Sequence, residues 1–231
     1  MINPDFTKLI TARIACDDSI FFTDLHPVST VHGVDIVRRK KLFGIIQSGQ
    51  TRLRPIFDTV EVASADVALV KLKDHYALYS IADGSSISDF EYVDYEIRNG
   101  LIQLQKQNGR SELFELNGCR YIHRGEGFDK FNILVTCTEY LWAHRNGSYS
   151  FIHRRSGRVV SPPAVILPYD TAVGIWGLDE HNRIAAFDDN GSINETILRK
   201  CVLKNGGYLT LSNYTEKIEH TIDIYGNILN N

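Results

Sequence analysis

The stretch "GIIQSGQTRLRPIFDTVE", from Gly44 to Glu61, runs from an apolar segment through a Ser-Gly turn to a second segment, a proline, and an aromatic beside an aspartate. Between Arg155 and Asp170 the chain reads "RSGRVVSPPAVILPYD", the same order of parts. Laying Ser48-Gly49 over Ser156-Gly157 carries Pro55 onto Pro163 without a gap. Such an echo is either a motif with chemistry in it or the unit of a repeated structure, and spacing decides. Turn glycines behind short apolar runs stand at Gly49, Gly84, Gly118, Gly157, Gly191 and Gly226, at nearly even intervals, and the two phrases lie three such intervals apart. Behind several of these glycines an aspartate recurs beside an apolar or aromatic residue: Phe57-Asp58, Val93-Asp94, Phe128-Asp129 and Tyr169-Asp170. Self-similarity at a fixed period of about 35 residues is the signature of a repeat architecture.

Each copy reads as a β-meander. Short runs rich in Val, Ile, Leu, Phe and Tyr are bounded by Asn-Gly, Asp-Gly and Ser-Gly pairs, and no 3.6-residue stripe is expected to persist beyond two helical turns. Asn-Gly occurs at 99, 108, 117, 146, 190 and 205. Both central residues of a type I′ turn need φ > 0, which Asn tolerates and Gly takes without steric cost. The sequence therefore predicts an all-β chain, a single domain over 1–231, built of six to seven repeated β-meanders of about 35 residues with about three strands each. The expected arrangement is propeller-like, since closing a ring of meanders leaves only short edges; an open β-repeat array is the alternative. The segment "TKLITARIACDDSIFFTDL" (7–25) offers two strand candidates and the last copy stops soon after its turn, as two termini completing one blade would require. Phe57, Val67, Leu69, Leu101, Leu134 and Val173 are the expected core.

The order Phe43-Gly44-Ile45-Ile46, turn glycine, apolar run, Pro55, Phe57-Asp58, then Ala68-Leu69-Val70-Lys71 resembles the WG (or KWG) repeat of bacterial proteins. The likeness is clearest over 42–75 and continues with gaps over about 40–230. Phe43 stands where the family has its signature tryptophan, and the literal Trp176-Gly177 falls in the third strand of this register. The resemblance implies a bacterial, array-type β protein acting as an interaction module, of a kind that scaffolds or neutralises a partner protein as immunity proteins do. It brings no catalytic residues.

Composition narrows the role by exclusion. Hydrophobic residues make up 43% and charged residues 23% of 231, ordinary for a globular protein. A net charge of -3 gives no global attraction to nucleic acid or anionic membrane, and no apolar run approaches the ~20 residues of a membrane span. The basic run Arg38-Arg39-Lys40-Lys41 reads as a hairpin tip, not a nucleic-acid stripe. Without a basic n-region and apolar h-region at the start, the expected setting is the cytoplasm. The cysteines at 16, 119, 137 and 201 form no Cys-x-x-Cys pair, so reduced thiols packed as small hydrophobes are expected. Eight scattered histidines show no metal-ligand spacing, and neither a Gly-x-Ser-x-Gly elbow nor a P-loop is present. The chain thus leans away from catalysis, with no cofactor or metal expected. "HRGEG" at 123–127 reads as a loop, and Asp179 and Asp188 as polar turns beside Asn182 and Asn190-Gly191. The alternative for those two carboxylates is a pair flanking a glycosidic bond.

One segment has the composition of a site. Residues 120–158 carry seven Lys/Arg against Glu126, Asp129 and Glu139, a local +4. Within it "EYLWAHRNGSYSFIHRR" predicts a hairpin turning at Asn146-Gly147, with Trp142 opposite Phe151, His144 opposite Tyr149, and Tyr140 opposite His153. Strand alternation then gathers Tyr140, Trp142, His144, Tyr149, Phe151 and His153 on one face. Leu141, Ala143, Ile152 and a Glu139–Arg154 pair take the other. Such an aromatic face either packs against the next repeat or stacks a ligand. The candidate binding residues are Trp142, His144, Arg145, Tyr149, His153 and Arg155, with another protein as the expected partner and a small molecule or glycan as the alternative.

Overall fold

The computed structural model describes residues 4–17, 25–133, 139–162, 165–169, 171, 174–214 and 216–229. Pro163, Asp170, Leu134, Val173 and Cys137 lie outside these. The chain divides into two compact units, Met1–Gly109 with Phe114–Arg120, and Arg110–Leu113 with Tyr121–Asn231.

In the first unit β1 (His26–Val31), β2 (Val34–Arg39), β3 (Leu42–Gln47) and β4 (Gln50–Phe57) form one antiparallel meander in chain order. The expected basic tip is Lys40-Lys41, between β2 and β3. Next come β5 (Thr59–Val62), β6 (Val67–Leu72) and β7 (His75–Ser80), closed by a bridge from Tyr79 to Ser86. β8 (Tyr92–Arg98) pairs with β9 (Leu101–Lys106), and β10 (Ser111–Glu115) and β11 (Arg120–Phe128) carry the chain across the division. In the second unit β12 (Lys130–Phe131), β13 (Tyr140–Arg145), β14 (Ser148–His153) and β15 (Val159–Val160) make a four-stranded meander. β16 (Val165–Tyr169), β17 (Ile175–Asp179) and β18 (Ile184–Phe187) follow, completed by a bridge from Phe187 to Ile193. After α2 (Glu195–Lys204), β19 (Leu209–Asn213) and β20 (Ile218–Ile222) pair, and Ile222 bridges Ile228. The chain is all-β in class, a run of antiparallel meanders.

The repeat is regular enough to be read in hydrogen bonds. Ser80 N–H donates to Ser85 and Gly84 N–H to Ser80; two repeats further along, His153 donates to Arg158 and Gly157 to His153. Asp188 donates to Ser192 and Gly191 to Asp188; one repeat later Asp223 donates to Asn227 and Gly226 to Asp223. In four of the meanders the predicted glycine sits between the third strand and a fourth: Gly49 between β3 and β4, Gly84 before Ser86, Gly157 between β14 and β15, and Gly191 before Ile193. Gly226 holds the same place between β20 and Ile228, and Gly118 separates β10 from β11. Meanders of about three strands were expected; a fourth is added, full-length in β4 and β11, two residues long in β15, and a single bridge at Ser86 and Ile193, where it leaves no alternating run to detect.

The core confirms part of the register. Phe57, Val67, Leu69 and Leu101 are all at most 2% exposed. The expectation that no helical stripe would appear is overturned twice. α1 (Pro4–Asp17) occupies the start of the segment read as two strands. Phe6, Leu9, Ile10 and Ile14 recur at helical spacing and pack on the core of the first unit. In α2, Asn194 caps the helix by accepting from the Ile197 N–H at 3.1 Å, and Leu198 and Val202 are buried. "HRGEG", read as a loop, lies within β11. Gly125 N–H donates to the buried Glu112 carboxylate at 3.0 Å, and Gly127 lets β11 approach the Ser111 carbonyl more closely than a side chain would allow. Trp176-Gly177 lies in β17, the middle strand of its sheet, not the third. Of the thiols, Cys201 packs against the core of the second unit, whereas Cys119 is exposed at a turn position with φ 44°.

Candidate functional site

The site begins with an aspartate. Asp129, of the Phe128-Asp129 pair, accepts from the Asn146 N–H at 2.8 Å and faces His144 Nδ1 at 3.4 Å. Its other oxygen pairs with Arg110, whose guanidinium also reaches Asn146 Oδ1 at 3.0 Å. Asp58 does the same work in the first unit, accepting from the Lys73 N–H at 2.6 Å and pairing with Arg13 of α1 at 2.9 Å. Asp58 N–H donates to Lys71 and Asp129 N–H to His144 at matching steps. In these two repeats the Phe-Asp pair is therefore a staple between the entry of the repeat and its hairpin tip, whereas Asp94 accepts from the adjacent Tyr95 N–H at 2.8 Å. Satisfying an otherwise orphaned tip N–H with a carboxylate gives a charge-assisted bond.

The stapled hairpin has the expected register: Tyr140 opposite His153, Trp142 opposite Phe151, His144 opposite Tyr149, Arg145 opposite Ser148. The tip is Asn146-Gly147, with φ of 51° and 79°. Arg154 N–H closes the base by donating to the Glu139 carbonyl at 2.8 Å. The rings form a ladder of edge-on contacts: Tyr140 to Phe151 at 5.6 Å, Trp142 to Phe151 at 5.9 Å, Trp142 to Tyr149 at 6.4 Å, His144 to Tyr149 at 5.0 Å. The lower rungs are packing. Trp142 (8% exposed) and Phe151 (0%) join Val165, Ile175, Ala185 and Phe187 in one core. On the opposite face Leu141, Ala143 and Ile152 are buried too.

The upper rungs open onto a cavity of about 150 Å³. Trp142, Tyr149, Phe131 and Pro168 are its apolar walls, and Lys130, Asn132, His144, Asn213 and Glu216 its polar ones. Asn213, 3% exposed, is spent on framing: its amide donates to the Pro168 carbonyl at 2.8 Å and its oxygen accepts from the Glu216 N–H at 2.7 Å. Burial, then the nearby Glu216 carboxylate, push the Tyr149 phenol above its ordinary pKa, keeping it a hydrogen-bond donor. The hollow thus offers a phenol, a carboxylate and an ammonium between perpendicular rings.

Of the residues picked out by sequence, the structure brings Trp142, His144 and Tyr149 together. Arg145 and Arg155 are exposed outside the lining. His153 stands at the far end of the ladder, edge-on to Tyr140 at 5.4 Å, its Nδ1 3.0 Å from Ser156 Oγ. Asn213 and Glu216, distant from the hairpin along the chain, carried no sequence signal at all. Asp179 accepts from the His181 and Arg183 N–H groups, and Asp188 from those of Asn190 and Ser192, each at 2.9 Å. These are turn-forming carboxylates, as read. Among the described residues no group of three or more His, Cys, Asp or Glu is placed to hold a metal, and no helix is long and apolar enough to cross a membrane.

No protein-family model matches the chain, and no curated protein matches it in sequence. Among solved structures it is similar to the computationally designed Ika8 protein, at 10% identity and a TM-score of 0.37 over 90% of this chain and 74% of that one. BamB from Moraxella catarrhalis matches at 12% identity and a TM-score of 0.35, over 86% and 72%. Kluyveromyces lactis Hsv2 matches at 12% identity and a TM-score of 0.34, over 84% and 72%. Likenesses at this level assign neither family nor function, so the functional reading rests on the geometry.

Proposed function

We propose that the chain is a non-enzymatic, repeat-based binding module for another protein, with the cavity above Trp142 receiving one anchoring side chain. The observation that carries this is the size and lining of that cavity. At about 150 Å³ it is smaller than the ~300–1,000 Å³ typical of small-molecule sites. One buried side chain fitted into a pocket and ringed by weaker contacts is how protein interfaces concentrate their energy. The exposed Arg145, next to His144 at the tip, supplies charge that steers encounter more than it adds affinity. The WG-type resemblance points the same way, toward a bacterial, cytoplasmic scaffold or immunity protein, and ring closure of the meanders into a propeller belongs to this reading.

A second reading has one observation in its favour: an aromatic wall beside Asn132, Glu216 and Lys130 also suits a sugar ring. Immobilised chain exposed to native-host extract, with mass spectrometry of what is retained and a glycan array in parallel, separates the two. A stoichiometric protein retained by the wild type and lost with Tyr149→Ala is the expected result. Saturable glycan binding without any such protein would replace the first reading by the second.

A further inference from the structure

In five meanders the strand before the middle hairpin is present and paired: β1 on β2 (Thr30 opposite Asp35), β5 on β6 (Val60 opposite Val70), β8 on β9 (Tyr95 opposite Leu104), β12 on β13 (Phe131 opposite Ala143) and β16 on β17 (Tyr169 opposite Trp176). The last repeat departs from this. Its β19 pairs with β20 as β6 pairs with β7, and the Gly226 turn follows as the Gly84 turn does, but α2 takes the place in the chain where the leading strand would be. Among the described residues no strand pairs with the other edge of β19.

That edge borders a cleft of about 390 Å³, within the range of ligand sites. Leu209, Thr210, Leu211 and Ser212 line it consecutively. Alternate residues of a strand point to opposite faces, so four in succession meet one cleft only along the backbone edge. The opposite side is formed by Trp176 and by the end of α2, where, among the described residues, Lys204 is the charged residue of the lining. Seven of the eleven large apolar side chains that stand exposed among the described residues fall at or beyond Ile193, among them Leu203, Tyr208 and Tyr214 near this cleft. Of these, Tyr214 lines the cleft, and Leu203 and Tyr208 adjoin its lining residues Lys204 and Leu209 in the chain, so the cleft has an apolar border of the kind that marks interaction sites.

We propose that the edge of β19 takes up an extended segment of a partner protein as an added strand, about four or five residues long, with apolar side chains and one carboxylate toward Lys204. Strand addition draws affinity from main-chain hydrogen bonds and specificity from alternate side chains. The leading strand β5, Thr59–Val62, is the template in this chain: it is four residues long and carries Glu61.

The test uses two synthetic peptides. One has the sequence DTVEVASA of residues 58–65; the other is the same peptide N-methylated at alternate residues, which removes ladder donors without altering side chains. The unmodified peptide should bind the full chain saturably at one per chain and slow amide exchange within Leu209–Asn213, and the methylated one should bind at least tenfold more weakly. Equal binding of the two, absence of saturable binding, or protection elsewhere than β19 would overturn the proposal. This cleft and the hairpin cavity share no lining residue, so failure here leaves the anchor-pocket reading untouched.

Discussion

Asp58 and Asp129 show what a single residue does here: each looks like a candidate acid, and each is held by a backbone N–H and an arginine. Asp83 is the surface counterpart. Hydrogen bonds from the Ser80 hydroxyl, then from the Ser85 N–H and hydroxyl, hold its carboxyl down at about 2. A depressed carboxylate pKa stabilises the fold above the unfolded value and loses that contribution as pH falls through the folded one. The melting temperature of Asp83→Ala should therefore lie below wild type by a constant margin above about pH 4, and the margin should close toward pH 2; a margin independent of pH would contradict the role given to the charge. Leu69, 2% exposed in the middle of β6, tests the register of the core. Leu69→Ala should cost ~2–5 kcal/mol in urea denaturation, and a loss under ~0.5 kcal/mol would place it on the surface.

At the level of elements, the strands were legible because their boundaries are chemical. Asn99-Gly100 and Asn146-Gly147 take positive φ at both positions, as a turn matching strand twist requires. The helices were not legible in the same way. Phe6, Leu9, Ile10 and Ile14 are the residue types that also build strands, and only their spacing separates the two. The fourth strands at Ser86, Val159–Val160 and Ile193 were missed because pairing of one or two residues writes no pattern. Half of the site was readable: alternation placed Trp142, His144 and Tyr149 on one face, but Asn213 and Glu216 arrive through tertiary packing. The turn glycines give a sharper element-scale prediction. Gly49 and Gly226 both have positive φ, yet a methyl group on Gly49 meets open space, whereas one on Gly226 overlaps the Ile184 carbonyl oxygen. Gly49→Ala should cost about 1 kcal/mol from backbone strain alone, and Gly226→Ala at least twice that. Equal costs would show that close approach between neighbouring repeats does not constrain the turn.

For the molecule as a whole, the repeated staples and turns build a scaffold, and the proposed function belongs to the hairpin whose His144 and Tyr149 open onto a cavity. Trp142 and Tyr149 separate scaffold from function within a single ladder. Trp142→Ala removes a ring buried against Val165 and Phe187 and should lower stability by ~3–5 kcal/mol. Tyr149 is partly buried at the edge of that core and lines the hollow, so its removal should cost much less stability than that of Trp142. The most direct measurement is calorimetric titration of the co-purified partner protein into wild type, Tyr149→Ala and Arg145→Ala. The expected result is a loss of ~2 kcal/mol, about 30-fold in affinity, for Tyr149→Ala, with the melting temperature lowered far less than by Trp142→Ala, and a much smaller loss of affinity for Arg145→Ala. Wild-type affinity in the Tyr149→Ala chain would contradict it.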